Sequence, residues 1–264
     1  MNLLVLEPRE VGAPLPRSDR RVEHTRKILK KGIGDSLAAG LAGGPGDPCP
    51  LGTARIESWD GSRMVFSFVP ERVAAPLRPV ALVLGFPRPI QVARILKDLC
   101  SLGVRRILMA PTDLGEKSYA DSTIFKERDF LRPLLEGAEQ AGNPRLPEAD
   151  TFPSLAAALA ALGHPAPGEA RWALDPYRSE GLFGSLLAGR GGAAGPGDPG
   201  SGAAEPGARA FVLAVGSERG WTDRELDALA GSGFRFASLG DRILRTETAC
   251  ASAVTLALAA LGSL

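Results

Sequence analysis

Gly240, Arg242, Arg245 and Glu247 fall within the eleven residues 239–249, and Gly216, Glu218, Arg219 and Gly220 form a similar group about twenty residues earlier. Guanidinium groups this dense suit contact with a phosphate, or stabilisation of negative charge developing on a carbonyl oxygen. A carboxylate beside them can take up a proton. The elements that must position them can be read from the same stretch. An apolar run at 234–239 reads as a strand, Leu239-Gly240 as the bend that closes it, and Thr246 as the N-cap of a helix running nearly to the C-terminus. Glu247 then sits favourably against the helix's positive end. A strand, a glycine bend and a helix N-terminus make a pocket rimmed by backbone N–H groups, a common design for binding a ligand. An ordinary strand-to-helix connection has the same spacing, so the pattern alone leaves both readings open.

The string Leu239-Gly240-Asp241-Arg242-Ile243-Leu244-Arg245-Thr246-Glu247-Thr248-Ala249 closely resembles the C-terminal signature of the RsmE family. Members of that family methylate N3 of a uridine in small-subunit (16S) ribosomal RNA, and belong to the SPOUT class, whose S-adenosylmethionine site is a trefoil knot. Upstream, Gly216, Glu218 and Gly220 match the family's Gly-Pro-Glu-Gly-Gly-Phe pattern, while Ser217 replaces Pro and Arg219 replaces Gly. Glycine permits positive φ and a close ligand approach, whereas arginine brings bulk and charge. Arg219 therefore either contacts the carboxylate of the cofactor's methionine part or obstructs the pocket.

Other landmarks extend the resemblance over nearly the whole chain. Leu102, Gly103 and Val104 match a Thr-Glu-Leu-Gly-Val element in which Cys100 and Ser101 stand for Thr and Glu. Glu139-Gln140 and Pro147-Glu148 match a Glu-Gln-x-x-Arg…Pro-Glu segment in which Asn143 takes the place of Arg. His24, Leu29-Lys30 and Gly34-Asp35 match a His…Val-Leu-Arg…Gly-Asp segment, with Lys30 for Arg.

Composition bounds the possibilities. With 264 residues and 44% hydrophobic content, the chain can bury one large core or two smaller ones. Glu7 and Arg9 come too early for a signal peptide's apolar core, so secretion is not expected. The uncharged run 248–264 is short for a membrane span and diluted by Ser252, Thr255 and Ser263; a buried helix is expected there. Three scattered cysteines, Cys49, Cys100 and Cys250, have no metal-ligand spacing and fit a reducing cytoplasm. With only His24 and His164, a histidine-rich metal site is excluded, and a Ser–His or Cys–His hydrolase is argued against. No metal and no membrane are expected. Net charge is only +1, yet residues 17–31 hold seven basic side chains against Asp19 and Glu23. Such a cluster can track a phosphate backbone or simply solvate a helix face.

Along the chain, apolar runs at 2–6, 35–41, 53–58 and 63–69, with Asp60-Gly61 as a hairpin turn and a Gly/Pro-rich loop at 43–50, predict a small β domain over 1–72. Residues 73–79 read as a linker. From 80 the rhythm becomes strand-then-helix: strands at 80–86, 106–110, 171–174 and 211–215, and helices at 90–102, 122–141, 154–162 and 223–230. This predicts an α/β domain with a largely parallel sheet over 80–264. Its Gly/Pro-rich stretch 189–207 is expected to be a mobile insertion, since it lacks the apolar content to offset its ordering entropy. The resemblance adds a C-terminal trefoil knot to this domain and makes the first a PUA-like β-barrel that binds RNA. Generic topology rules would not suggest a knot.

Methylating uracil N3 requires removal of its proton and stabilisation of the resulting anion. Under the resemblance, Arg245 is the first choice for substrate or phosphate contact, Glu218 for the proton, and Arg242 a further catalytic candidate. Arg245 could instead simply pair with Glu247, and Glu218 could cap the following helix. S-adenosylmethionine would lie against Leu174, Gly216, Gly220, Leu239, Gly240, Ile243 and Leu244, with Asp175 on the rim. Arg20, Arg21, His24, Lys27 and Lys30 would contact RNA. A homodimer is implied, because SPOUT sites are completed across a subunit interface. Two readings follow: an active RNA methyltransferase, or an RNA-binding SPOUT paralogue with lost or altered catalysis. The complete C-terminal motif favours the first; Ser101, Asn143, Ser217 and Arg219 favour the second.

Overall fold

A computed structural model describes residues 2–189 and 208–263, and the chain divides into two units, residues 1–77 with 131–147 and residues 78–130 with 148–264. Apart from Gly189, the stretch read as a mobile insertion lies outside the described residues.

The first unit is built on a curled five-stranded sheet. Its strands are β1 (Leu4–Leu6), β2 (Pro14–Pro16), β3 (Ser36–Leu41), β4 (Pro50–Trp59) and β5 (Arg63–Val73), in the order β1-β3-β4-β5-β2. β1 lies parallel to β3 and the remaining pairs are antiparallel. Asp60 sets the β4–β5 turn, its Oδ1 accepting the N–H groups of Ser62 and Arg63 at 2.8 Å each, with Gly61 at φ +91°. A register shift at Leu51/Gly52 bends the hairpin, and a Cβ on Gly52 would lie 2.0 Å from the Val69 carbonyl oxygen. Only glycine fits there. Leu4, Leu6, Val22, Ile56, Met64 and Phe66 fill the core. A short helix, α1 (Arg20–Glu23), is capped by Asp19 and widens into a π turn over His24–Ile28.

The second unit carries a six-stranded, wholly parallel sheet: β6 (Arg78–Gly85), β7 (Val104–Ala110), β8 (Glu148–Thr151), β9 (Glu169–Leu174), β10 (Ala210–Val215) and β11 (Arg235–Ala237), ordered β11-β9-β10-β6-β7-β8. Its helices are α2 (Pro89–Ser101), α3 (Thr123–Lys126), α5 (Leu155–Leu162), α6 (Phe183–Leu187), α7 (Asp223–Gly231) and α8 (Thr246–Ala260). Val83, Leu108, Ala173, Val212 and Ala214 turn one way, into a core closed by α5 and α7. The alternate residues turn the other way; Trp172, for example, packs against Phe183 of α6, which in turn contacts α8. Cover on both faces explains the unbroken apolar strands.

One predicted helix is not a single element. Residues 122–141 split into α3 and α4 (Leu131–Ala141), with Arg128 at φ +51° between them. Phe125 stacks on Phe86 at 4.0 Å between ring centroids and meets Phe130 edge-on, and burying both rings turns the chain. α4 then joins the first unit, where the Glu139 carbonyl accepts the N–H groups of Asn2 (3.1 Å) and Leu3 (3.2 Å).

Candidate functional site at the carboxyl ends of the parallel strands

Leu174 of β9 stands in register with Val215 of β10 on one side and Ala237 of β11 on the other. The loops that follow these three residues therefore leave the sheet side by side, at its carboxyl edge, where open α/β sheets bind ligands.

The loop after β10 is cramped by design. Gly220 N–H donates to the Ser217 carbonyl at 2.9 Å, closing a tight turn in which Gly220 holds φ +74°. A Cβ on Gly216 would sit 3.0 Å from the Gly220 backbone. Gly85, at the end of β6, also has no room for a Cβ, which would come within 2.6 Å of both Ser217 N and Thr112 Cγ2. Thr112 donates its hydroxyl proton to Ser217 Oγ at 2.9 Å, so the serine is tied to the loop after β7. Arg219 lies between Ser217 and Gly220 with negative φ and an exposed side chain. The left-handed position in this turn is Gly220, so Arg219 is under no φ strain.

The loop after β11 is held at its start only. Ser238 Oγ accepts the Gly240 N–H at 3.1 Å and donates to the Gly240 carbonyl at 2.9 Å, while Gly240 adopts φ +131° with nothing within 4 Å of where a Cβ would be. From Asp241 to Arg245 no backbone N–H finds an acceptor among the described residues. α8 begins with Arg245 as N-cap and without a side-chain cap. Thr246, expected to be the cap, is instead the first helical residue and is buried. The strand before this loop is shorter than the 234–239 read from sequence, because its pairing with β9 ends at Ala237.

Of the candidate cofactor contacts, the structure brings Leu174, Gly216, Gly220, Leu239, Gly240, Ile243 and Leu244 to this edge. Leu174, Leu239 and Leu244 are half-buried, whereas Ile243 is 97% exposed. Half-buried leucines, two left-handed glycines and a run of uncommitted N–H donors fit an adenosyl ligand, which needs an apolar slot with backbone hydrogen bonds. Among the described residues no group of acidic, cysteine or histidine side chains could hold a metal.

The candidate catalytic residues separate. Glu218 is exposed, and its Oε1 accepts the Arg88 N–H at 2.8 Å, at the start of α2. It does not cap the helix after its own loop; Thr222 does, in a reciprocal capping box with Glu225. Arg242 is exposed, and Arg245, with 80% of its side chain exposed, lies 3.9 Å from Glu247. At that separation the pair is loose, leaving Arg245 free to reach a substrate. Glu247 Oε2 is buried with no partner among the described residues.

Sequence reasoning did not single out the framework around these loops. Asp113 grips Arg224 and accepts the Thr222 hydroxyl at 2.8 Å, while Asp113 N–H donates to Glu225. Arg178 reaches from the loop after β9 to Asp227 at 2.6 Å and Asp223 at 3.3 Å. A carboxylate and a guanidinium more than forty residues apart carry no local signal.

In the first unit, the RNA-contact candidates are unequal. Arg21 is 7% exposed, its guanidinium bound by Glu10, Asp19 and the Val5 carbonyl. Burial opposes ionisation of Glu10 and Asp19, but Arg21's hydrogen bonds and charge outweigh it and hold both carboxyls below their usual range. Arg21 is thus part of the scaffold. Its basic type and clustered position had suggested a surface role, but three internal acceptors draw it inward. Arg20 is half-buried and pairs with Glu139, whose carboxyl is pushed up by burial against the pull of Arg20. Lys27 pairs with Glu23. His24 is partly covered, and burial, helped by Arg20, lowers its pKa. Lys30 is exposed, at φ +53°, and no ion pair is found for it among the described residues.

Known proteins resemble this chain along most of its length. Residues 74–258 match the RNA methyltransferase domain family. Ribosomal RNA small subunit methyltransferase E of Treponema pallidum is 34% identical over 265 residues, spanning 98% of this chain and 91% of the relative. A methyltransferase from Legionella pneumophila, solved with bound S-adenosylmethionine, superimposes with a TM-score of 0.72 at 22% identity, covering 98% of each chain. The ribosomal RNA small subunit methyltransferase E of Neisseria gonorrhoeae, also solved with S-adenosylmethionine, gives 0.66 at 20% identity over 98% of this chain and 97% of that one. With its C-terminal signature, its parallel sheet and a relative above 30% identity along almost its full length, the chain belongs to the ribosomal RNA small subunit methyltransferase E (RsmE) family.

Proposed function

We propose that the protein is an S-adenosylmethionine-dependent methyltransferase acting on N3 of a uridine in small-subunit ribosomal RNA. The observation that carries this reading is the loop from Leu239 to Arg245, where Gly240 turns the chain and five successive N–H groups find no acceptor among the described residues, at the same carboxyl edge as the Gly216–Gly220 turn. S-adenosylmethionine supplies the electrophilic methyl group when bound. Leu174, Leu239 and Leu244 hold its apolar surface, and the backbone after Gly240 supplies hydrogen bonds. Arg245 and Arg242 are placed to stabilise negative charge on the uracil carbonyl oxygens. Glu218 is the proton acceptor; one of its oxygens is committed to Arg88, which orients the carboxylate and leaves the other oxygen for the substrate.

The finer architecture belongs to the same reading. The C-terminal segment forms a trefoil knot, and the curled sheet of the first unit is a PUA-like barrel that binds RNA through Arg20, Lys27, Lys30 and neighbouring cations. The enzyme works as a homodimer in the cytoplasm. Family membership supports the knot, the barrel and the dimer, and no described helix is long and apolar enough to cross a membrane. The alternative, an RNA-binding paralogue with lost or altered catalysis, rested on Ser101, Asn143, Ser217 and Arg219. The unstrained turn at Arg219 and the Thr112–Ser217 hydrogen bond weaken it. The test is transfer of isotope-labelled methyl from S-adenosylmethionine to small subunits taken from a strain lacking the gene. Incorporation into their RNA, absent with large subunits, is expected; none at all would leave the paralogue.

A further inference from the structure

Thr112 is engaged on both branches of its side chain. Its methyl group occupies the space beside Gly85, where a Cβ would come within 2.6 Å of it, and its hydroxyl donates to Ser217 Oγ at 2.9 Å. Ser217 is only 6% exposed, so little water competes for that bond. The main chain at Thr112 is fixed as well, its carbonyl accepting the Gly115 N–H at 3.1 Å. The next residue, Asp113, binds Thr222, Arg224 and Glu225. The loop after β7 therefore grips the turn after β10 at both ends, at Ser217 and at Thr222.

The side chains between those two grips are not packed: Glu218 and Arg219 are exposed. A turn that served only the core would be held through buried side chains, whereas here the bracing fixes a stretch that faces solvent. Glu218 follows Ser217 directly, and its Oε1 accepts the Arg88 N–H at 2.8 Å. An exposed glutamate is free to rotate about several torsions, so keeping its carboxylate on one N–H needs a fixed backbone beneath it. A proton acceptor must stand within hydrogen-bond reach of the proton it takes, and a misplacement of about 1 Å can cost about a hundredfold in rate. The grip also gives Ser217 a purpose. The sequence pattern that this stretch resembles has proline there, which fixes its own φ. Serine lacks that restriction, and the bond from Thr112 constrains it from outside instead.

We propose that Thr112 is a positioning residue for proton removal: through Ser217 it sets the direction in which Glu218 leaves the turn. The Glu218 carboxylate is thereby kept on the Arg88 N–H, with its second oxygen open to the substrate. This rests on the reading of Glu218 as the proton acceptor.

The test separates the two branches of Thr112 in the full-length protein. Thr112→Val keeps the methyl and removes the hydroxyl, and Thr112→Ser does the reverse. The first readout is hydrogen exchange of the Arg88 amide by NMR, which needs neither cofactor nor RNA. Exchange should quicken about fivefold or more in Thr112→Val, toward the rate in Glu218→Ala, and stay near wild type in Thr112→Ser. Ser217→Ala removes the acceptor of the same bond and should match Thr112→Val. Wild-type exchange at Arg88 in Thr112→Val or in Ser217→Ala overturns the proposal. The second readout is methyl transfer to small subunits. In Thr112→Val kcat should fall about tenfold or more with KM little changed, and Thr112→Ser should restore it. Made in Glu218→Gln, the valine change should cost nothing further. An equal fall in both backgrounds would give Thr112 a part in folding only and overturn the proposal. Transfer by Glu218→Gln at the wild-type rate would refute the proton-acceptor reading, and with it the part of Thr112 in catalysis. Failure of wild type to methylate small subunits would refute the enzyme reading by itself, since exchange at Arg88 still decides whether Thr112 places the carboxylate.

Discussion

Replacing Gly240 by valine should weaken cofactor binding while sparing the fold. Gly240 sits at φ +131°, a conformation that residues with a side chain rarely adopt. Forcing a non-glycine residue into such a region costs about 1–3 kcal/mol, and a β-branched one belongs at the upper end. The folded protein can escape this cost by letting the bend relax, because the loop beyond it makes no backbone hydrogen bonds and Ile243 is not buried. Relaxation breaks the paired hydrogen bonds between Ser238 and Gly240 and redirects the N–H groups of residues 241–245. The strain is then charged to binding, since only the native bend presents those donors together. Calorimetric titration with S-adenosylmethionine should show affinity falling about 5- to 150-fold, the equivalent of 1–3 kcal/mol. Gly240→Ala imposes the same φ with less volume and should fall between the two. Thermal melting of both variants should stay near wild type. Wild-type affinity in Gly240→Val would refute the placement of the site at this bend.

Other substitutions test separate parts of the structure. Arg219→Gly should weaken cofactor binding by about 1–3 kcal/mol, the value of a lost charged hydrogen bond. No strain relief offsets this, since Gly220 already holds the left-handed position; a gain in affinity would show that the arginine obstructs. Arg21→Ala leaves Glu10 and Asp19 without their common partner and should destabilise the first unit by about 3–5 kcal/mol in urea titration. Because both carboxyls are held below their unfolded values, their contribution is complete above about pH 5 and is lost as the pH falls through the folded values. The variant should therefore lose less stability on acidification than wild type, and an equal loss would contradict that coupling. Neutralising Arg17, Lys27, Lys30 and Lys31 together should flatten the plot of log RNA affinity against log salt, by up to about 0.7 per lost phosphate contact. An unchanged slope would show that these cations only solvate their surface.

Where the candidate site is built from contiguous residues, the sequence was readable. Residues 239–249 hold a bend, two exposed arginines and a helix start in one stretch, and the structure keeps them together; the helix boundary moved by only one residue. The β6, β9 and β10 runs were likewise visible, because strands covered on both faces show as unbroken apolar segments. Partnerships across long separations were not legible. Nothing near Glu218 announces Arg88, and nothing near Arg178 announces Asp227. Arg21 and Lys30 look alike as letters, but one is drawn inside by Glu10 and Asp19 while the other stays in water. The helical period from 122 to 141 was misleading for a related reason. Periodicity reports which face is apolar but not which core it meets, so the break at Arg128 and the crossing of α4 to the first unit left no mark on it.

The most direct test of the central claim is the chemical position of the transferred methyl group. Small subunits from a strain lacking the gene would be incubated with the full-length protein and S-adenosylmethionine, and their RNA digested to nucleosides for mass spectrometry. The same RNA would be copied by reverse transcriptase. A methyl on uracil N3 occupies the base-pairing edge, so the expected result is N3-methyluridine together with an arrest of copying at a single uridine, both absent without enzyme. A methyl found on a ribose hydroxyl or on carbon, or no methylated uridine in the RNA, would contradict the assignment.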